Sequence, residues 1–226
     1  MTIDIVELVE FYNSPLGEIV NSRLSTLIED FKKKQSNKSL TGIGYTLPFD
    51  PVDLHFIPHH IGVMQNHDNN VKTVLIDDQI LPLEDESVDA FVMVHMFEHV
   101  QEPRRFLREI WRCLKSNGRI LMVIPNRRGF WARFENNPFG HGQPFSKKQI
   151  RQVLKDNMFT CTSTGYALSA PPINHAWFAA HVQTLPPVPK ILLHKFSGVV
   201  VVEAIKQVCA VSLKAKPRIR FLPKVI

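Results

Sequence analysis

Residues 88–124 constrain the fold more than any other part of this chain. Residues 88–94 form an apolar run of strand length, entered through the turn-rich Glu84-Asp85-Glu86-Ser87. A helical pattern follows over residues 103–114, with Phe106, Leu107, Ile110, Trp111 and Leu114 on one face. Lys115-Ser116-Asn117-Gly118 reads as its C-terminal stop, with Gly118 free to take positive φ. Residues 119–124 are a second apolar strand, ended by Pro125. Strand, helix, turn and strand in this order form a βαβ crossover, which requires a parallel sheet with covered faces. The expected class is α/β.

The rest of the chain extends that pattern. Residues 54–57 and 71–76 are short apolar runs, and Ser39-Leu40-Thr41 leads into Gly42-Ile43-Gly44-Tyr45. Residues 146–158 read as a helix capped by Ser146, followed by a strand over 159–168. Residues 171–189 are proline-rich and have no clear assignment. Residues 191–196 read as a short helix and 198–203 as a last strand. Ahead of the first strand, residues 3–34 carry helical spacing broken at Asn13-Ser14-Pro15, where Ser14 caps and Pro15 opens a new helix. Two helices in this place are positioned to pack on, or cover, a site. The expected organisation is a helical segment (1–36), a core domain (37–212, with 170–197 inserted) and a basic tail (213–226).

Composition narrows the class. The 226 residues are 44% hydrophobic and 21% charged, a balance that excludes intrinsic disorder. Cys113, Cys161 and Cys209 form no C-x-x-C, so buried thiols in a reducing cytosol fit better than disulfides or a zinc site. Residues 1–10 carry Asp4, Glu7 and Glu10 where a signal peptide needs positive charge. Residues 199–211 are too short, and too interrupted by Glu203 and Lys206, to span a bilayer. A cytoplasmic protein is expected. The net charge of +6 permits an anionic partner without requiring one, and much of it sits in residues 214–224.

Residues 72–126 carry the most specific pattern. They hold an acid after the third strand, Leu81-Pro82 shortly after it, and Ser87-Val88-Asp89 opening the fourth strand. Glu98-His99 follows that strand, and Leu114-Lys115-Ser116-Asn117-Gly118 leads into a strand ending in Pro125-Asn126. This resembles the class I S-adenosylmethionine-dependent methyltransferases. Residues 42–48, 125–134, 138–146 and 201–207 are similar to a bacterial branch of uncharacterised methyltransferase-like proteins. The resemblance implies a Rossmann-like fold: a mostly parallel sheet with helices on both faces, and S-adenosyl-L-methionine beyond the carboxyl ends of the strands.

By that resemblance, Gly42, Ile43, Gly44 and Tyr45 form the cofactor loop. Asp77 accepts from the adenine amino group, and Asp78 and Gln79 flank the ring. His95, ending the fourth strand, faces the methionyl end and the methyl acceptor. The sequence departs from the family twice. Thr41 and Thr46 stand where an acid and a third glycine are usual, and residues 57–62 hold no ribose-binding carboxylate, leaving His60 to make one hydrogen bond.

Some features admit two readings. His95-Met96-Phe97-Glu98-His99 spells the H-x-x-E-H of a zinc peptidase, but His95 ends a strand and the motif needs a helix. No metal is therefore expected, and Glu98-His99 reads as a pair that orders the loop. Arg127, Arg128 and Arg133 interleave with Phe130, Trp131, Phe134 and Phe139. They suit a nucleic-acid or phosphate contact, or equally a lid with its aromatics on the core. If the acceptor must lose a proton, His95 is the first candidate base and His141 the second. The expected function is methyl transfer to an unidentified acceptor, with a small molecule favoured and a nucleic acid still open. The alternative is a non-catalytic module of the same fold that binds RNA or a protein.

Overall fold

In the computed structural model, which describes residues 4–36, 38–49, 52–58, 73–76, 80–134, 137–169, 171–172 and 197–208, the chain opens with two helices. α1 (Ile5–Tyr12) is capped by Asp4, and α2 (Pro15–Lys33) by Ser14, whose hydroxyl accepts from the Gly17 N–H at 3.1 Å. Pro15 occupies the first turn, where its missing N–H costs nothing. Lys32 and Lys33 lie in the last turn of α2, the negative end of its dipole. Leu16, Val20, Leu24, Ile28 and Phe31 form one buried stripe along this helix.

Among the described residues, seven strands follow in one sheet: β1 (Leu40–Gly44), β2 (Leu54–Pro58), β3 (Thr73–Ile76), β4 (Val88–Val94), β5 (Leu114–Pro125), β6 (Phe159–Ala167) and β7 (Val199–Lys206). Their spatial order is β3-β2-β1-β4-β5-β7-β6. The pairs from β3 to β5 are parallel, and β7 lies antiparallel between β5 and β6. The chain reverses strand order between β1 and β4, which makes their carboxyl ends the topological switch point.

The strands alternate between two cores. Ala90, Val92 and Val94 of β4, with Leu121 and Val123 of β5, pack under α1 and α2. Phe91, Met93, Ile120, Met122 and Ile124 pack on the other face. There they meet α3 (Pro103–Cys113) and α4 (Lys147–Asp156) through Phe106, Leu107, Ile110, Ile150 and Leu154. Helices on both faces of a mostly parallel sheet are the Rossmann-like arrangement that the sequence implies.

Three details differ from the sequence reading. β5 begins at Leu114, directly after α3, so residues 115–118 belong to the strand. The positive φ falls on Asn117 (64°), because Gly118 packs tightly against Leu114 and the Lys115 carbonyl, and asparagine tolerates that region. Both Gly42 and Gly44 lie within β1 and not after it. β7 runs on to Lys206, three residues past the expected end. Lys206 is anchored there: its ammonium donates to the Leu114 carbonyl at 2.6 Å and sits 4.0 Å from the Trp111 ring centre.

The link from β1 to β2 is short for a parallel crossover. It spans residues 45–53 with no helix among its described residues, where a dozen or more residues is usual. Tyr45, Phe49 and Val52 turn inward instead, and α2 covers the face above them. Asp53 closes the link, its carboxylate accepting from the Leu40 N–H at 2.7 Å. At the far side of the sheet, the Gly198 N–H donates to the Leu168 carbonyl at 2.9 Å, so the end of β6 and the start of β7 meet.

Truncating Leu24 to Ala in the middle of the α2 stripe is expected to cost about 2–5 kcal/mol, through lost burial and a residual cavity. Ser146→Ala removes the α4 capping box and should cost about 1 kcal/mol. Urea unfolding of both variants checks the size and the order.

A candidate active site at the ends of strands β1 and β4

The carboxyl ends of β1 and β4 touch. Gly44 pairs with Val94, and the Tyr45 N–H donates to the Val94 carbonyl at 2.9 Å. Gly44 has φ +89°, and a Cβ there would collide with the Val94 carbonyl and lie 2.9 Å from Cβ of Met96. Only glycine allows this approach. A Cβ on Gly42 would meet Cβ of Thr46 at 2.8 Å and Val52 at 2.9 Å. The space left by both glycines is thus occupied by the chain's own atoms. Thr46, at the place of the usual third glycine, bonds Nδ1 of His55 on β2 at 2.8 Å. Burial pushes the His55 pKa down, opposed in part by Asp53.

The turn after β4 holds the polar groups. His95 is fully buried with φ +52°, an uncommon conformation for a residue other than glycine. Its Nε2 lies 3.0 Å from the Tyr12 hydroxyl, and the Phe139 ring centre is 4.5 Å from its own. Nδ1 is 3.6 Å from Oε1 of Glu98, which is 2% exposed. Among the described residues, neither carboxylate oxygen of Glu98 nor Nδ1 of His95 has a hydrogen-bond partner. The Glu98 carbonyl accepts from the Gln143 N–H at 2.7 Å, and Gly142 (φ +77°) fits against the Glu98 side chain. His141 is half-buried in this loop, two residues beyond Phe139.

Tyr12, at the end of α1, bridges the two strand ends. Its ring centre is 5.3 Å from that of Tyr45, 6.0 Å from Phe49 and 5.9 Å from His95. Burial, then the neighbouring Tyr45 and Glu98, hold its phenol pKa well above the ordinary value. Burial alone pushes Tyr45 up to about 12. Both phenols stay neutral at physiological pH.

The structure therefore brings Gly44 and Tyr45 to His95, while Gly42 packs against Thr46 and Val52 and the Ile43 side chain lies in the core on the other face of the sheet. Glu98 and Phe139 join them, and so does Tyr12, which the sequence reading did not single out. His60, Asp77, Asp78 and Gln79 lie outside the described residues. Residues 96–99 form a turn, so His95 and His99 share no helix, and no metal-binding group of three occurs among the described residues. Of the Arg/aromatic stretch, Trp131 and Phe139 are buried, while Arg127, Arg128, Arg133, Phe130 and Phe134 are exposed. No described helix is long and apolar enough to cross a membrane.

A family profile described as "Methyltransferase domain" matches residues 32–122, the stretch that builds β1 to β5. Residues 32–122 thus match a methyltransferase domain family, and the chain has the class I methyltransferase fold. The chain is also similar to a Mycobacterium tuberculosis protein named "Probable S-adenosylmethionine-dependent methyltransferase". The two are 35% identical over 81 residues, covering 35% of this chain and 29% of the relative. The chain thus spans under a third of that relative's length. A Thermotoga maritima S-adenosylmethionine-dependent methyltransferase shares the fold, with a TM-score of 0.55 at 21% identity over 75% of this chain and 82% of that one. The cyclase SpnF shares it as well, with a TM-score of 0.53 at 17% identity over 82% of this chain and 81% of that one. The fold alone leaves the reaction open.

Two predictions follow from this domain's packing. Gly44→Ala adds both a clash and a strained φ, and should destabilise by about 2–4 kcal/mol in a denaturant titration. The fold keeps His55 neutral, whereas the unfolded chain takes up a proton below about pH 6.5. Stability should thus be full above that pH and fall as the pH drops towards the lowered folded pKa. Urea midpoints at pH 7.5 and pH 5 check this, and His55→Gln should flatten the difference.

Proposed function

We propose that this domain is an S-adenosylmethionine-dependent methyltransferase acting on a small acceptor. The observation that carries the reading is the meeting of the β1 loop with a buried histidine–carboxylate pair at the switch point. The pair fits the cofactor: a buried carboxylate with neither oxygen hydrogen-bonded, beside an imidazole whose Nδ1 is also unpartnered among the described residues, suits a ligand that brings positive charge. A sulfonium compound does so, and when bound it supplies an already activated methyl group. Residues 42–45 would lie along its methionyl side, and Asp77, Asp78, Gln79 and His60 along its nucleoside.

The protein's own contribution is alignment and exclusion of water. α1 lies over the site, and Tyr12, Tyr45, Phe49 and Phe139 enclose it. So tightly walled a site supports a small acceptor over a polymer. His95 is the candidate base, with Nε2 already facing a hydroxyl; His141 is the second candidate. The family profile and the relatives' names support an enzyme over a binding module.

Calorimetric titration with S-adenosylmethionine and S-adenosylhomocysteine tests the reading. Micromolar binding is expected, weakened at least tenfold by Asp77→Ala. A folded protein that binds neither compound would overturn the proposal.

A further inference from the structure

We propose that the slot filled by the Tyr12 ring is the acceptor site, and that the acceptor is a phenol. This rests on the methyltransferase reading above and names its substrate class. Tyr12 is the last residue of an eight-residue helix that precedes the matched domain. Its side chain enters a slot walled by Tyr45 and by Phe49, whose ring meets it edge-on. At the end of the slot, Nε2 of His95 lies 3.0 Å from the phenol oxygen. An aromatic wall that leads to a hydrogen-bonding nitrogen is the complement of an aryl hydroxyl.

The pair behind the slot favours the same chemistry. A carboxylate 3.6 Å from Nδ1 favours the tautomer with its proton there, which leaves the Nε2 lone pair to accept from a hydroxyl. An acceptor carboxylate would face Glu98 as a like charge. An ammonium has no lone pair with which to attack. A phenol meets neither obstacle. Its oxygen attacks the sulfonium methyl carbon, the carbon–sulfur bond breaks with its electron pair on sulfur, and the hydroxyl proton passes to Nε2. Glu98 is then a positioning residue, set to balance the imidazolium charge. Tyr12 occupies the acceptor's place while the slot is closed, so α1 has to withdraw for the acceptor to enter.

Binding of p-cresol, the free equivalent of a tyrosine side chain, tests this without turnover. Tyr12→Ala opens the slot, with circular dichroism to confirm folding, and Tyr12→Val serves if that variant unfolds. Calorimetry should show p-cresol binding the opened slot at least tenfold more tightly than p-xylene, with His95→Phe in the same background erasing the difference. Equal affinity for cresol and xylene, or tighter binding of benzylamine, would overturn the phenol assignment. In the wild type, S-adenosylmethionine binding without methylation of any phenol would sink this inference alone. Absence of S-adenosylmethionine binding would remove the methyltransferase reading itself. For a protein that turns over, Glu98→Gln should lower kcat/KM about tenfold and move the acid limb of its pH profile to lower pH. An unmoved limb would remove Glu98 from the assignment.

Discussion

The meeting of β1 with β4 at Gly44 and Val94 is the constraint on which the rest of this domain depends. A side chain of any size at position 44 would hold the two strand ends apart. With glycine there, the Tyr45 amide reaches the Val94 carbonyl, and the loop leaving one strand is tied to the turn leaving the other. Tyr45 and His95 are thereby both held against the Tyr12 ring. The same closeness explains why the glycines do not form an open cradle: their missing side chains are spent on contacts within the chain.

Electrostatics at this junction is dominated by burial. A carboxylate and an imidazole lie together in a region walled by aromatic rings, where an unbalanced charge is costly. The two tyrosines answer the same environment by holding their protons. The protonation states of the two phenols are therefore fixed in advance by the fold. The short β1–β2 link adds rigidity, since Asp53 and Thr46 tie it to both strands that it joins.

Much of the fold is legible in the sequence where one periodicity acts alone. β4 is a continuous apolar run with turn residues before it, and it falls where that pattern puts it. The stripe of α2 and the cap at Ser146 are equally local signals. The start of β5 is less so, because strand pairing with β4 overrides a helix-stop sequence and moves the positive φ from glycine to asparagine. The site is split in the same way. His95 is visible because a histidine ends a strand at a recognisable place. Tyr12 is not, since at sequence level it is one more aromatic residue on an amphipathic helix, and only tertiary packing carries its hydroxyl 83 positions along the chain to His95. Glu98 reads as a loop-ordering residue, and its backbone does hold the 141–143 loop; the proximity of its carboxylate to Nδ1 needs the turn geometry.

The junction between Leu168 and Gly198 has a consequence for how such a chain can diverge. The stretch between these residues departs from and returns to almost one point on the sheet, a hydrogen bond apart. For a flexible segment that links two joined points, each doubling of length costs only about 0.6 kcal/mol. β5, β6 and β7 would register little of such a change, because their pairing is complete on either side of it. A change of chain length between these two residues is accordingly expected to leave the pairing of the sheet intact.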